Sequence, residues 1–127
     1  MTLFFLIFSL VSSSQDSQIY FEDDKVQITY TLSVCELKNF NTRDEYFIIQ
    51  VKNKTDETLV INFHKGIHEV ENQEDKIAFV LNPAEVKKGS CKNDPLGLSV
   101  FKRDLNKSYK KNDTPFNLSN IQVVEVY

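Results

Sequence analysis

From Val26 the apolar residues fall on every second position, Val26, Ile28, Tyr30, Leu32 and Val34, with Gln27, Thr29, Thr31 and Ser33 between them. A strand turns successive side chains to opposite faces, so this alternation predicts a strand with one buried face. The same period returns in Leu59, Ile61 and Phe63, in Ile77, Phe79 and Leu81, and in Leu96, Leu98 and Val100, after which Phe101 is placed to face the other side. The run Tyr46 to Val51 is apolar on both faces at its start, as expected of a strand covered on two sides.

Turn-forming residues separate these runs. The polar stretch Asn53 to Thr58 predicts a hairpin between the strands that flank it. Asn82-Pro83 ends a strand, because Pro has no N–H to give a ladder, and Val86 belongs to a short return strand before Gly89. Ile121 to Tyr127 is rich in β-branched residues and reads as the last strand, while Ile19 to Phe21 is a weaker first one. About seven short strands spaced in this way predict an all-β chain folded as an antiparallel β-sandwich. The one segment with a helical argument, Asp104 to Lys111, lacks an apolar stripe.

The first residues belong to a different design. Leu3 to Val11 is almost unbroken apolar sequence, followed by Ser12-Ser13-Ser14 and the polar Gln15-Asp16. A run of about nine apolar residues is too short to span a bilayer, which takes about 20. Small residues at Ser12 and Ser14 fit the −3 and −1 positions of a signal peptidase site. Residues 1–14 therefore read as a signal peptide, and residues 15–127 as a single secreted or periplasmic domain without an integral membrane segment. No Lys or Arg precedes the apolar run, which departs from the usual signal pattern; the competing reading is a buried core strand. The remaining chain, about 113 residues, is long enough for one core. Hydrophobic residues at 41% can fill that core and charged residues at 26% can cover it.

Two cysteines, Cys35 and Cys91, are most simply a disulfide in an oxidising compartment; two free buried thiols are the alternative. Closing a loop of about 56 residues is worth about 4 kcal/mol by chain entropy, an upper figure because native strain reduces it. The inward set of the Val26 strand is even-numbered, so Cys35 should face away from the core. Cys91 lies in the polar stretch Lys87 to Asp94, which predicts a tie between a strand and a neighbouring loop.

Candidate chemistry is sparse. A net charge of −3 with no dominant block implies neither a nucleic acid nor an anionic membrane as partner. Lys102, Arg103, Lys107, Lys110 and Lys111 are diluted by Asp104 and Asp113, and read as a solvated loop. His64 and His68 have the H-x-x-x-H spacing that places two imidazoles on one helix face for zinc, yet Gly66 lies between them at a strand end. Glu69 and Glu71 could complete only a weak surface site. Acidic clusters at Glu22-Asp23-Asp24 and at Glu69, Glu71, Glu74 and Asp75 lack the spaced ligands and central Gly of an EF-hand loop. Nucleophile elbows, glycine-rich phosphate loops and Cys-x-x-Cys motifs are missing, so neither a catalytic residue nor a cofactor is assigned. Four N-x-[ST] sequons occur, at Asn53, Asn106, Asn112 and Asn117; in a glycosylating secretory pathway they would be surface acceptors, and in a bacterium they would be unmodified.

The strings Val51-Lys52-Asn53-Lys54-Thr55, Leu81 to Cys91, Leu98-Ser99-Val100-Phe101 and Phe116 to Val123 resemble small exported immunoglobulin-like proteins of flavobacteria and relatives. The resemblance covers most of the chain beyond the signal. It implies an immunoglobulin-like β-sandwich with a Cys35–Cys91 pair, favours a bacterial source, and brings no established activity and no functional residues. Two functions from different classes are expected to compete. One is a non-catalytic module that holds an unknown protein or glycan through an exposed patch around Tyr46, Ile48 and Val60. The other is a small hydrolase or metal-binding protein using His64, His68 and nearby carboxylates.

Overall fold

A computed structural model describes residues 17–37, 42–66, 76–106 and 115–126. Among these residues every regular element is a strand: β1 (Gln18–Glu22), β2 (Val26–Leu37), β3 (Thr42–Asn53), β4 (Thr58–Lys65), β5 (Lys76–Leu81), β6 (Val86–Lys88), β7 (Ser99–Asp104) and β8 (Leu118–Val126). The proposed signal segment lies outside the described residues.

All pairings are antiparallel and form two sheets. The larger has the order β1-β2-β3-β6, with β7 also paired to β3; the smaller has the order β5-β4-β8. Asp23 sets the turn into β2, its carboxylate accepting from the backbone N–H of Lys25 and Val26. From there β2 and β3 run in unbroken register, Val26 opposite Asn53 and Leu37 opposite Thr42. The even set of β2 and the odd set of β3 meet inside, as the alternation required, with Ile28 opposite Val51 and Tyr30 opposite Ile49. Leu59, Ile61 and Phe63 of β4, with Phe79 and Leu81 of β5, close the core from the other side.

The sheets differ in length. Twelve-residue β2 and β3 extend about 40 Å, whereas eight-residue β4 covers about 27 Å. The difference leaves Leu32 and Val34, which belong to the inward set, 46% and 43% exposed. Phe116, just before β8, covers the intermediate zone by stacking on Tyr30 at 4.1 Å and meeting the edge of Phe47 at 5.2 Å.

The structure corrects two expectations. The Asn53–Thr58 segment does not close a hairpin: β3 and β4 lie in opposite sheets, and the chain crosses between them. Asn53 makes the crossing possible. Its buried side chain donates to the carbonyls of Glu57, Leu81 and Asn82 and accepts from Thr55, satisfying backbone groups of the crossing segment and of the end of β5. The last two runs are also shifted, since β7 begins only at Ser99 and β8 begins at Leu118. Leu96 and Leu98 contribute apolar side chains to the core from a loop.

Candidate cleft on the outer face

Opposite the core, β2 presents Thr29, Thr31, Ser33 and Cys35, and β3 presents Asp44, Tyr46, Ile48 and Gln50, each directly across from its partner. Next to β3, β6 and β7 occupy successive parts of one edge. Ile49 joins them, its carbonyl accepting from Gly89 N–H and its N–H donating to the Leu98 carbonyl, both at 3.0 Å. Between these two contacts the chain leaves the edge: its first part, around Cys91, arches over the outer face to β2, and its return, with Leu96 packed against the core, runs back beside the smaller sheet.

Cys91 in this arch is bonded to Cys35 of β2, with Cα atoms 5.5 Å apart. The tie is therefore between a strand and a loop, and Cys35 lies in the outward set. Local chemistry shapes the rest of the arch. Ser90 Oγ donates to the Asn93 carbonyl and accepts from its N–H. Asp94 accepts from Leu98 N–H through its carboxylate and from Gly97 N–H through its carbonyl, a turn in which Gly97 takes a φ of 72° that favours glycine. Lys65, at the end of β4, reaches across from the smaller sheet and donates to the carbonyls of Gly97 and Ser99.

The arch makes a cleft of about 300 Å³ against the sheet, lined among others by Cys35, Asp44, Tyr46, Lys92, Asp94 and Ser99. Phe101, 47% exposed, meets the Tyr46 ring edge to face at 5.6 Å and extends the aromatic surface beside it. Glu36 at the rim is paired with Arg43 at 3.0 Å. Carboxylates, an ammonium and hydroxyls thus surround an aromatic wall. Such a site can accept and donate several hydrogen bonds while packing against an apolar ligand face.

The sequence candidates are distributed differently. Of the expected patch, Tyr46 lines the cleft, but Ile48 is only 5% exposed because the arch covers it. Val60 is on the opposite side of the molecule, between Val80 and Val124 on the outer face of the smaller sheet. His64 is buried near the end of β4 and does not line the cleft. His68, Glu69, Glu71, Glu74 and Asp75 lie outside the described residues. Among the described residues, no three His, Cys, Asp or Glu side chains form a metal-binding group, and no helix is long and apolar enough to cross a membrane.

The sequons also separate. Asn53 is 1% exposed with its amide nitrogen committed to backbone carbonyls, so it is not the surface acceptor its motif implied. Asn117 is half-buried and accepts from the Tyr20 hydroxyl, Asn106 is exposed after β7, and Asn112 lies outside the described residues. No protein-family model, curated protein or solved structure matches the chain.

Proposed function

We propose that this chain is an exported, non-catalytic interaction module of the immunoglobulin-like kind, which holds a protein or glycan segment in the cleft beneath its disulfide-tied arch. The observation that carries this reading is the cleft itself, where Tyr46, with Phe101 against its ring outside the cleft, lies beside the polar groups of Asp44, Lys92 and Ser99. Rigid strands fix one wall, and a loop tied at three places supplies the other. Preorganisation of this type lowers the entropy cost of binding. Export is supported by the apolar N-terminal run and by the disulfide, which persists in oxidising compartments. The two-sheet architecture agrees with the immunoglobulin-like resemblance.

The test is a glycan array and a displayed peptide library probed with the wild-type protein and with Tyr46→Ala and Asp44→Asn. Selected ligands should lose at least about tenfold in affinity to either variant, the loss expected for one buried aromatic or charged contact. Ligands that bind both variants as tightly as wild type would remove the cleft from consideration, as would the absence of any selected ligand.

A further inference from the structure

We propose that the Cys35–Cys91 disulfide is a redox latch on this cleft: its reduction frees the crest of the arch and merges two separate openings into one groove across β2 and β3. The inference rests on the reading of the cleft as a binding surface and assigns that surface a regulation.

The two openings flank the disulfide. On one side is the cleft of about 300 Å³; on the other is a smaller one of about 190 Å³ lined by Thr31, Ser33, Ile48, Lys88, Gly89, Ser90 and Cys91. Cys91 and Ser90 border both, so the bonded crest is the partition between them. Beneath it lie Ile48 and Thr31, outward-facing residues that the arch keeps from water.

The arch is held unevenly. Its feet are anchored by Gly89 and Leu98 on Ile49, by the Asp94 turn, and by Lys65. The crest, residues 90–93, has only internal bonds between Ser90 and Asn93, the disulfide, and two long sulfur contacts, at 3.9 Å to Ser33 Oγ and 4.0 Å to the Val34 carbonyl. Among the described residues it has no other hydrogen bond to β2 or β3. Breaking one covalent bond therefore releases the crest and leaves both feet and both sheets in place.

Access favours attack from outside, because Cys91 is exposed and Cys35 is half-buried. A thiolate of an external dithiol attacks Cys91 Sγ, the Cys35–Cys91 bond breaks, and its electron pair leaves on Cys35 Sγ, which takes a proton from water. The second thiol of the reductant, as its thiolate, then displaces Cys91, which is protonated in turn, and the reductant departs as a cyclic disulfide. Two electrons and two protons pass to the protein.

The experiment is hydrogen exchange by mass spectrometry on the full chain, oxidised and after dithiothreitol, with the Cys35→Ser/Cys91→Ser double variant as the permanently open form. The Asn93 amide, the one crest N–H with a hydrogen bond among the described residues, should lose protection as the freed crest loosens, while the amides of β4, β5 and β8 retain theirs. Fluorescence of the apolar dye ANS should rise as Ile48 becomes accessible. Unchanged protection of the crest would overturn the proposal, and so would loss of protection throughout both sheets on reduction, or a double variant that does not fold, since either makes the bond a global staple. The readout requires no ligand. A crest that opens on a protein for which the array and library yield nothing would uphold the latch and defeat the cleft as a binding surface.

Discussion

Gly89 packs directly against the main chain of Leu98, leaving no space for a Cβ between them. The contact is the base of the arch, where β6 ends, β7 approaches, and both bond to Ile49. Gly89→Ala would place a methyl group into the Leu98 carbonyl, a backbone atom that cannot rotate away. The two feet must separate, and at least one of the Ile49 hydrogen bonds is lost. The expected cost is about 3 kcal/mol, at the upper end of overpacking effects, read as a fall in the urea midpoint. A variant as stable as wild type would show that the feet can part without consequence.

Ala84 has a φ of 60° as the third residue of the turn Asn82-Pro83-Ala84-Glu85, closed by the Glu85 N–H to the Asn82 carbonyl at 3.0 Å. A positive φ at this place, after Pro, is what a type II turn demands, and glycine normally fills it. The left-handed conformation costs an L-residue about 1–2 kcal/mol, partly offset by the smaller entropy of the unfolded alanine chain. Ala84→Gly should therefore stabilise the protein by about 0.5–1 kcal/mol, visible as a higher urea midpoint with an unchanged slope. Ala84→Val should do the reverse.

Much of the sandwich was legible because one face of each strand is buried. The even set of β2 and the odd set of β4 point inward as their alternation required, and that parity also placed Cys35 outside. The β3–β4 connection was not legible. Asn53-Lys54-Thr55 has the polarity of any turn, and only the three-dimensional position of the Leu81 and Asn82 carbonyls makes Asn53 a crossing residue. The cleft was hidden for a related reason. Its wall comes from residues 90–97, tied to β2 at Cys91 and to the smaller sheet at Gly97, a placement fixed by a disulfide and by Lys65, whose partners are distant in sequence. The polar loop around Cys91 and the Asp94-Pro95-Leu96-Gly97 turn were its only local signals. Ile48 shows the limit of the patch argument, since an outward apolar residue counts as exposed until something covers it.

At the far end of the larger sheet, Lys54 Nζ donates to Glu22 Oε2 at 3.0 Å and to the Asp23 carbonyl at 2.7 Å. The bond from Lys54, and after it one from Gln27, hold the exposed Glu22 carboxyl below the usual glutamate range. A folded value below the unfolded one means the contribution to stability is present above the unfolded glutamate range. It is lost as pH falls through the lower folded value. Lys54→Met should move the Glu22 titration midpoint upward, as followed by side-chain carboxyl NMR, and high salt should shrink the difference. A midpoint unchanged by the substitution would show that the ammonium does not govern it.

Asn53 offers the sharpest test of the crossing and of the sequons together. Its amide nitrogen donates to Glu57, Leu81 and Asn82 carbonyls at 2.8, 3.3 and 3.0 Å, and its oxygen accepts from Thr55 N–H and Oγ1 at 2.9 and 2.8 Å. Asn53→Ala leaves several backbone groups without their partner in a dry site, at about 1–3 kcal/mol for each that water cannot reach. Asn53→Asp keeps the acceptor but turns a carboxylate toward three carbonyls, so it should be destabilised as well, and more strongly as pH rises and the carboxyl ionises. A glycan requires the same nitrogen and a path to solvent. Secreted from a glycosylating host, the folded protein should therefore carry no glycan on Asn53, whatever is found at the exposed Asn106. Peptide mapping that finds a glycosylated Asn53 in protein with native circular dichroism would contradict the buried crossing itself.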